Sequence, residues 1–186
     1  MAGPRRWTVL ETEFLQDCAV FSVSRTLARS PRTGNSHRFY RIDSPDWVNI
    51  VPVTPAGDIV LVKQFRHGLD DFTVEIPGGL VDSGETPFAA AGRELLEETG
   101  YRAAEVVPLG STNPNPALFG NTLHSFLGRD VEWVSELRPD STEETHVMVV
   151  SPAELTDLIR CGTVNHALVI ATLHLLQFEG GGGSGA

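Results

Sequence analysis

Short runs of aromatic and β-branched residues, broken by turn-forming residues, predict strands over much of the chain. Residues 7–28 and 37–43 have this character and are separated by the stretch SPRTGNS, which predicts two or three antiparallel strands. Residues 46–66 predict a hairpin that turns at Pro55–Asp58. The segment FTVEIPGGL predicts a short strand that ends at a Pro-Gly-Gly corner. Further strands are expected near 104–111, 121–128 and 145–150.

A helical spacing of apolar residues replaces the strand pattern after this corner. Thr86 can cap the N-terminus of a helix, and Pro87 can occupy its first position, where the missing N–H costs nothing. Phe88, Ala91 and Leu95 recur at helical spacing and are expected to form the buried stripe. Two more helices are predicted in SPAELTDLIRCG and NHALVIATLHLLQF. The mixture predicts an α/β fold with too few helices for a doubly wound sheet.

Composition narrows the function classes. The 186 residues are 41% hydrophobic, enough for a real core in one domain or in one domain with an elaborated end. The formal net charge of -10 argues against a broad nucleic-acid surface. No run approaches the roughly 20 apolar residues of a membrane span, and the N-terminus lacks an apolar signal segment, so a cytoplasmic location is expected. Cys18 and Cys161 are expected to be buried, reduced thiols.

Acidic residues crowd the end of the first predicted helix, in the stretch RELLEETG. A helix C-terminus carries partial negative charge, so carboxylates there cost free energy. Nevertheless Glu94, Glu97 and Glu98 all precede Gly100, which is placed to end the helix. Glu94 and Glu98 are one turn apart and share a face, and Glu97 lies four residues after Arg93, a spacing that allows an ion pair. Because hard divalent cations prefer oxygen ligands and reverse this cost, the cluster predicts a metal site rather than a solvated helix face.

The spacing around these acids has the form Gly-x5-Glu-x7-Arg-Glu-U-x-Glu-Glu-x-Gly-U, where U is a bulky apolar residue. The motif begins at Gly79, ends at Tyr101 and has every fixed position filled. In this motif the chain resembles the Nudix hydrolase family, and the motif resembles a complete Nudix box. The resemblance implies the Nudix fold, in which a mixed β-sheet is sandwiched between helices (α/β/α). It also implies hydrolysis of a diphosphate linked to another group, with Mg²⁺ as the cofactor and Mn²⁺ as a substitute.

The resemblance assigns roles to the residues of the box. Glu94 and Glu98 are expected to bind the metal, together with the carbonyl of Gly78 just before the first box glycine. Glu97 and Arg93 count among the catalytic residues. An equally valid interpretation of the glycine corner is a turn that requires positive φ. The structural residues of the box are Gly79, Glu85 and Gly100.

Three features outside the box resemble the branch of the family that contains ADP-ribose pyrophosphatases. Pro116 stands fifteen residues after Tyr101, a spacing that marks this branch. Arg66 ends a predicted strand, where the branch places an arginine against the substrate phosphates. Trp47 stands at a strand entrance and is suited to stacking on a nucleobase. Ordinary loop, surface and core roles remain open for Pro116, Arg66 and Trp47 respectively.

The resemblance also implies a general base on a late loop, because metal occupies the acids of the box. An alignment on the segment VMVV points to Glu143, with the neighbouring Glu144 as the alternative. His124, on a predicted strand, is interpreted as structural.

Three regions are expected along the chain. Residues 1–45 form an N-terminal antiparallel β extension, residues 46–178 form the Nudix hydrolase domain, and residues 179–186 form a flexible Gly-rich tail. In the resembled branch such an extension is exchanged between two subunits. A homodimer that binds a small-molecule nucleotide substrate is therefore expected.

The resemblance implies Mg²⁺-dependent hydrolysis of ADP-ribose or a related nucleoside diphosphate sugar to a nucleoside monophosphate and a sugar phosphate. One alternative is a hydrolase of dinucleoside polyphosphates or nucleoside triphosphates. Ala117 disfavours the dinucleoside polyphosphates, because an aromatic residue is usual there. Another alternative is a non-catalytic nucleotide-sugar-binding module. It is disfavoured because such modules usually lose carboxylates of the box, and here all are present.

Overall fold

The protein is described by a computed structural model that covers residues 3–136 and 145–179. Its contacts divide the chain into two compact units, the first made of Met1–Pro45 and Asn113–Asn121 and the second of Asp46–Thr112 and Thr122–Ala186. The elements, in chain order, are β1 (Thr8–Asp17), β2 (Ser22–Arg29), β3 (Ser36–Asp43), β4 (Trp47–Pro52), β5 (Ile59–Arg66), β6 (Asp71–Glu75), β7 (Gly78–Leu80), α1 (Pro87–Thr99), β8 (Tyr101–Arg102), β9 (Glu105–Thr112), β10 (Leu123–Arg129), β11 (Glu132–Trp133), β12 (Thr145–Val150), α2 (Pro152–Arg160) and α3 (Ala167–Leu176).

The first unit is built on an antiparallel sheet with the strand order β1-β2-β3. The segment Asn113–Asn121 joins it through a bridge between Ile42 and Phe119. Asn121 also donates a hydrogen bond to the carbonyl of Pro45 over 2.9 Å. Every residue of β1 is exposed, so neither face of this strand is covered by the residues that the structure describes.

The second unit contains a mixed sheet with the order β7-β4-β10-β9, an antiparallel sheet with the order β12-β5-β6, and the short pair β11-β8. In the mixed sheet β4 and β10 run parallel, with Trp47 opposite Leu123. The glycine corner leads directly into β7, which pairs with the beginning of β4. The glycines that open the box therefore stand next to β4, one of the two inner strands of this sheet.

Strand β4 is buried on both faces, and this places a helix on each side of the sheet. Val48 and Ile50 pack into a cluster with Leu95 of α1. Val51, which points to the opposite face, packs into a second cluster with Val169 of α3. The mixed sheet thus lies between α1 and α3, as the α/β/α prediction requires.

Helix α1 has the ends that the sequence predicts. The side chain of Thr86 accepts a hydrogen bond from the N–H of Ala89 over 3.2 Å, and Pro87 is the first helical residue. Gly100 ends the helix with a φ of 72°, and its N–H donates to the carbonyl of Leu96. A left-handed residue at this position satisfies a helix carbonyl and is normally glycine.

The predicted buried stripe of α1 is wrong at one of its three positions. Ala91 and Leu95 are buried, but Phe88 is 55% exposed. Phe88 belongs to the first turn of the helix, outside the buried cluster, and its ring meets Phe126 edge-on with 6.2 Å between ring centroids. The small Ala90 is buried in addition, which lets the helix backbone approach the sheet.

The hairpin predicted over residues 46–66 is also wrong. A turn is present, because the N–H of Gly57 donates to the carbonyl of Thr54 over 2.9 Å. Strands β4 and β5 nevertheless belong to different sheets, and an isolated bridge joins Ile59 only to Val53, the residue after β4. Five of the six residues of β4 are buried, and β5 begins with four consecutive buried apolar residues. Such strands lie in the interior of sheets, where their partners come from elsewhere in the chain.

The two cysteines are free, as expected, but they are exposed rather than buried. Cys18 lies in the connection between β1 and β2, and Cys161 is the C-cap of α2. Positions at the ends of elements are more open than positions within them.

Helix α1 is the longest in the described part of the chain and has 13 residues. Among the residues that the structure describes, no helix combines the length and the apolar character that a bilayer crossing requires.

Candidate active site

A cavity of about 1070 Å³ lies in the second unit. Two groups of charged side chains contribute to its lining. We call them the Arg93 cluster and the Glu75 cluster. The Arg93 cluster consists of Arg93, Glu85, Glu94 and Glu97. The Glu75 cluster consists of Glu75, Arg66, Thr73 and His166.

In the Arg93 cluster a single guanidinium binds several carboxylates. Arg93 holds Glu85 with two hydrogen bonds, from Nε over 3.1 Å and from Nη2 over 3.0 Å. Its Nη1 donates to Glu94 over 2.9 Å and to Glu97 over 3.0 Å, and Nη2 also donates to the carbonyl of Leu80 over 2.9 Å. These bonds employ all five N–H groups of a guanidinium. Three carboxylates therefore share one cation, and the cluster keeps a surplus of negative charge.

The charges of this cluster act on one another's ionisation. The hydrogen bond with Glu85 is the main cause that raises the pKa of Arg93, and the charge of Glu94 adds to it. The same hydrogen bond lowers the pKa of the Glu85 carboxyl. The ion pair between Arg93 and Glu97 that the spacing allows is thus present, and Glu85 joins it from the loop before the helix.

Glu98 lies on the buried side of α1 and is 3% exposed. Its Oε2 accepts a hydrogen bond from the N–H of Gly78 over 3.0 Å. A Cβ atom at Gly78 would stand 2.3 Å from the carbonyl oxygen of Val48 and 2.4 Å from Oδ1 of Asn49. A side chain therefore cannot be accommodated at Gly78 without moving β4.

At Gly79 an added side chain would displace the Glu94 carboxylate rather than backbone. A Cβ atom there would stand 2.3 Å from Oε1 of Glu94. Neither Gly78 nor Gly79 has a positive φ, so the interpretation of the corner as a turn that needs left-handed backbone is wrong. The glycines instead let the backbone approach the box carboxylates closely.

The chemistry of these groups fits a hard divalent cation, although the ligands are not pre-assembled. Among the described residues, no three His, Cys, Asp or Glu side chains are gathered so that they could hold a metal ion as they stand. Glu94 and Glu97 are turned to Arg93, and Glu98 to the amide of Gly78. All three carboxylates nevertheless line the same cavity as Gly78. Oxygen donors with surplus negative charge are what Mg²⁺ and similar ions select.

In the Glu75 cluster a single carboxylate receives four hydrogen bonds. Oε1 accepts from Nε of Arg66 over 2.9 Å and from the hydroxyl of Thr73 over 2.5 Å. Oε2 accepts from Nη2 of Arg66 over 2.8 Å and lies 3.0 Å from Nδ1 of His166. Burial alone would raise the pKa of Glu75, but the hydrogen bonds from Arg66 and His166 outweigh it and hold that pKa well below its usual range. Glu75 is thus ionised, its charge is paired with Arg66, and both of its oxygens accept hydrogen bonds.

Sequence analysis did not single out Glu75 or His166. The signal for Glu75 was available, because a glutamate in the apolar stretch TVEIP has to be paired if it is buried. His166 lies at the start of a predicted helix and had no ligand spacing to any other histidine. Its partner lies 91 residues earlier in the chain, so no local pattern could identify the contact.

The other predicted site residues are distributed as follows. Trp47 begins β4 and lines the cavity, as does Arg66. Pro116 is exposed, belongs to the first unit and is not one of the residues that line this cavity. Glu143 and Glu144 lie outside the described residues, and their assignment stays a prediction.

His124, which the sequence suggests is structural, joins two neighbouring segments of the second unit. Its Nε2 lies 3.1 Å from Oδ2 of Asp46, and its Nδ1 lies 3.1 Å from Oγ of Ser111. Asp46 also accepts a hydrogen bond from the N–H of Thr122 over 2.8 Å. These contacts fasten the start of β4 to β10.

Comparisons with known proteins agree with the motif. The family model of the NUDIX domain matches residues 44–173. An ADP-ribose pyrophosphatase of Bacillus subtilis (strain 168) is 33% identical over 139 residues, which are 74% of this chain and 75% of that protein. The ADP compounds hydrolase NudE of Escherichia coli (strain K12) is 25% identical over 171 residues, 91% of each chain.

A similar fold is found among solved structures. The crystal structure of an ADP compounds hydrolase matches with a TM-score of 0.84 at 24% identity, over 98% of this chain and 99% of that one. This likeness confirms the predicted Nudix fold. Since the family model covers most of the chain, the resemblance carried by the glutamate motif is confirmed as well, and the protein belongs to the NUDIX domain family.

Proposed function

We propose that this protein hydrolyses the diphosphate bond of ADP-ribose, or of a related nucleoside diphosphate sugar, in the presence of Mg²⁺. The products are a nucleoside monophosphate and a sugar phosphate. The observation that carries the proposal is a complete box whose three helical glutamates, at positions 94, 97 and 98, line one cavity together with Arg66. The substrate class is supported by relatives that are named for ADP-ribose and for ADP compounds.

The residues of the box have different roles in binding the cation. Gly78, Glu94 and Glu98 would bind Mg²⁺, and Arg93 orients Glu97 beside them. When bound, this ion supplies charge neutralisation on the phosphate oxygens and lowers the pKa of bound water. Three further residues of the box have structural roles. Glu85 fixes Arg93, Gly79 gives close backbone approach, and Gly100 ends the helix.

Two residues outside the box bind the rest of the substrate in this proposal. Arg66 donates charge-assisted hydrogen bonds to the diphosphate, because its guanidinium lines the cavity and cannot lose its charge. Trp47 offers an aromatic face for stacking on the base. The part predicted for Pro116, near the substrate, stays a prediction.

We retain Glu143 as the proposed general base, with Glu144 as the alternative. Exchange of Glu143 for Gln is expected to slow turnover by about 10²–10⁴-fold, the usual share of a general base. Glu144→Gln is the matched control, since it removes the same charge one residue away. Normal turnover by the first variant and slow turnover by the second would transfer the role to Glu144.

A substrate panel tests the proposed function. Purified protein is incubated with ADP-ribose, UDP- and GDP-sugars, diadenosine polyphosphates and nucleoside triphosphates, with Mg²⁺, with Mn²⁺ and with a chelator. We expect metal-dependent cleavage of ADP-ribose to AMP and ribose 5-phosphate, identified by mass spectrometry. Faster hydrolysis of triphosphates or dinucleoside polyphosphates, or turnover that survives chelation, would overturn the proposal.

We also propose that the protein forms a homodimer through the first unit. A sheet of three strands needs a covered face to be stable, yet β1 is exposed along its whole length, including Val9 and Phe14. Light scattering should show a dimer at micromolar concentration, and Phe14→Asp should weaken it. Phe178→Asp is the matched control, because Phe178 is 64% exposed, like Phe14 at 65%, but lies in the second unit. A monomeric wild-type protein would contradict this proposal.

A further inference from the structure

We infer that Glu75 and His166 are positioning residues, which act through Arg66 to hold its guanidinium ready for the diphosphate of the substrate. The inference rests on the proposed function, in which Arg66 binds that diphosphate. It assigns to one buried carboxylate and one histidine a part in substrate affinity that neither the box nor the strand pattern indicates.

The first support is the geometry of the pair between Glu75 and Arg66. The two parallel hydrogen bonds, over 2.9 and 2.8 Å, engage the Nε and Nη2 edge of the guanidinium and thereby fix its plane. The side chain of Glu75 is 4% exposed, whereas that of Arg66 is 41% exposed and lines the cavity. The buried carboxylate thus holds the guanidinium in place, and the guanidinium faces the cavity.

The second support is the way in which the carboxylate itself is held. The hydroxyl of Thr73 occupies Oε1 and the imidazole of His166 occupies Oε2. Because an ionised carboxylate can only accept, Nδ1 of His166 is the donor. With these two partners, Glu75 is fixed from both sides and cannot turn away with Arg66.

The third support is that His166 serves this cluster and not its own helix. His166 is the N-cap residue of α3, but its side chain makes no capping hydrogen bond there. The helix is fastened elsewhere, because the buried Thr172 lies 2.8 Å from the hydroxyl of Ser125 and accepts from Asn49 over 3.3 Å. The packing of α3 therefore places the His166 imidazole beside Glu75.

Electrostatics alone gives the opposite expectation for Glu75, which makes the inference testable. A carboxylate near a site for a polyanionic substrate repels that substrate, so its removal should improve binding if charge were its whole effect. If Glu75 positions Arg66, its removal should weaken binding. The direction of the change in KM separates the two.

The kinetic experiment compares Glu75→Gln, His166→Ala and His166→Asn with the wild type, with ADP-ribose and Mg²⁺. We expect Glu75→Gln to raise KM about tenfold, the typical effect of losing charge-assisted hydrogen bonds, while kcat changes less than about threefold. His166→Ala should raise KM by about threefold. His166→Asn should recover most of this loss, because its Nδ2 occupies the position of the lost Nδ1.

Two controls define the outcome. Arg129 pairs with Glu105 and is also 41% exposed, but neither residue lines the cavity, so Glu105→Gln should leave KM unchanged. Arg66→Lys and the double variant with Glu75→Gln should have the same KM, since Glu75 acts through Arg66. A lower KM for Glu75→Gln, or additive effects in the double variant, would overturn the inference.

A measurement without turnover separates failure of this inference from failure of the proposed function. In NMR spectra of the arginine side chains, the Nε–H of Arg66, assigned by its loss in Arg66→Lys, should exchange slowly in the wild type and rapidly in Glu75→Gln. Unchanged exchange in Glu75→Gln would refute positioning even in an active enzyme. Slow exchange in the wild type with no cleavage of ADP-ribose would refute the proposed function instead. Should Glu75→Gln fail to fold, the variants of the half-buried His166 provide the same comparison.

Discussion

The Arg93 cluster and the Glu75 cluster line the same cavity but have opposite compositions. In the first, one guanidinium distributes its N–H groups among three carboxylates and a carbonyl. In the second, one carboxylate collects hydrogen bonds from a guanidinium, a hydroxyl and an imidazole. The first cluster therefore has more carboxylates than cations. In the second cluster, which we call matched, the single carboxylate is paired with a cation and has all its hydrogen bonds.

Burial explains why the two compositions differ. The side chain of Glu75 is 4% exposed, and a charge at such a site must be paired and hydrogen-bonded in full. In the Arg93 cluster, Glu85 and Glu94 are 17% and 12% exposed and both pair with Arg93, whereas the side chain of Glu97 is 44% exposed, so water or a cation can compensate it. The Glu75 cluster can hold a cationic donor, Arg66, in place. The Arg93 cluster can bind a cation. A diphosphate bound with Mg²⁺ would require both.

The largest expected effect is on turnover, and it follows from removing a proposed metal ligand beside the Arg93 cluster. Glu98→Gln should lower Mg²⁺-dependent turnover by roughly a thousandfold, because it removes a negative oxygen donor. The fold should survive, since the Gln carbonyl can still accept the hydrogen bond from Gly78. Turnover and thermal unfolding are measured in parallel, with the exposed Glu132→Gln as control. Wild-type turnover by Glu98→Gln would remove the basis of the metal assignment.

A second, smaller effect concerns the stability of the Arg93 cluster. Arg93→Met removes the guanidinium that Glu85, Glu94 and Glu97 share, and the free energy of unfolding should fall by about 2 kcal/mol. This value is below that of a fully buried pair because the Arg93 side chain is 28% exposed. Mg²⁺ should restore more stability to the variant than it adds to the wild type. Urea unfolding with and without Mg²⁺ measures both quantities.

The control for Arg93→Met is Arg129→Met, which breaks the ion pairs of Arg129 with Glu105 and Glu179, whose side chains are 60% and 26% exposed. That loss should be clearly smaller than the loss in Arg93→Met, as for other surface pairs. Equal losses in the two variants, or no selective effect of Mg²⁺, would show that surplus charge does not distinguish the Arg93 cluster.

The parts of the site that could be predicted from sequence are those that helix geometry determines locally. A spacing of four residues puts Arg93 beside Glu97, and the cap at Thr86 and the left-handed Gly100 follow from rules for helix ends. The α/β/α fold was predicted through the resemblance. These features need no knowledge of how distant segments meet.

The parts that could not be predicted depend on contacts between distant segments. Strands β4 and β5 form no hairpin because each is enclosed by other strands, and the exposure of Phe88 depends on where the packed cluster ends. The contact between Glu75 and His166 requires the packing of α3 to bring them together. The close approach at Gly78 is likewise a property of paired strands and not of a turn.

The smallest expected effect concerns the Glu75 cluster and is seen in the pH dependence of the free energy of unfolding. The pKa of Glu75 is well below its usual range in the folded protein, through the hydrogen bonds of Arg66 and His166, which outweigh the opposing effect of burial. A depressed pKa means that the unfolded chain takes up a proton first, near pH 4.3 for an ordinary glutamate. The stabilisation is therefore complete above that pH and is lost as the pH falls.

Glu75→Gln should consequently be less stable than the wild type at pH 7, and the difference in the free energy of unfolding should shrink from about pH 5 towards pH 3. Chemical unfolding of both proteins over this range measures it. The comparison between the two proteins cancels the titration of all other groups that the exchange does not disturb. A difference that stays constant down to pH 3 would mean that Glu75 stabilises the fold by its shape and not by its charge, and the matched cluster would then be no anchor for Arg66.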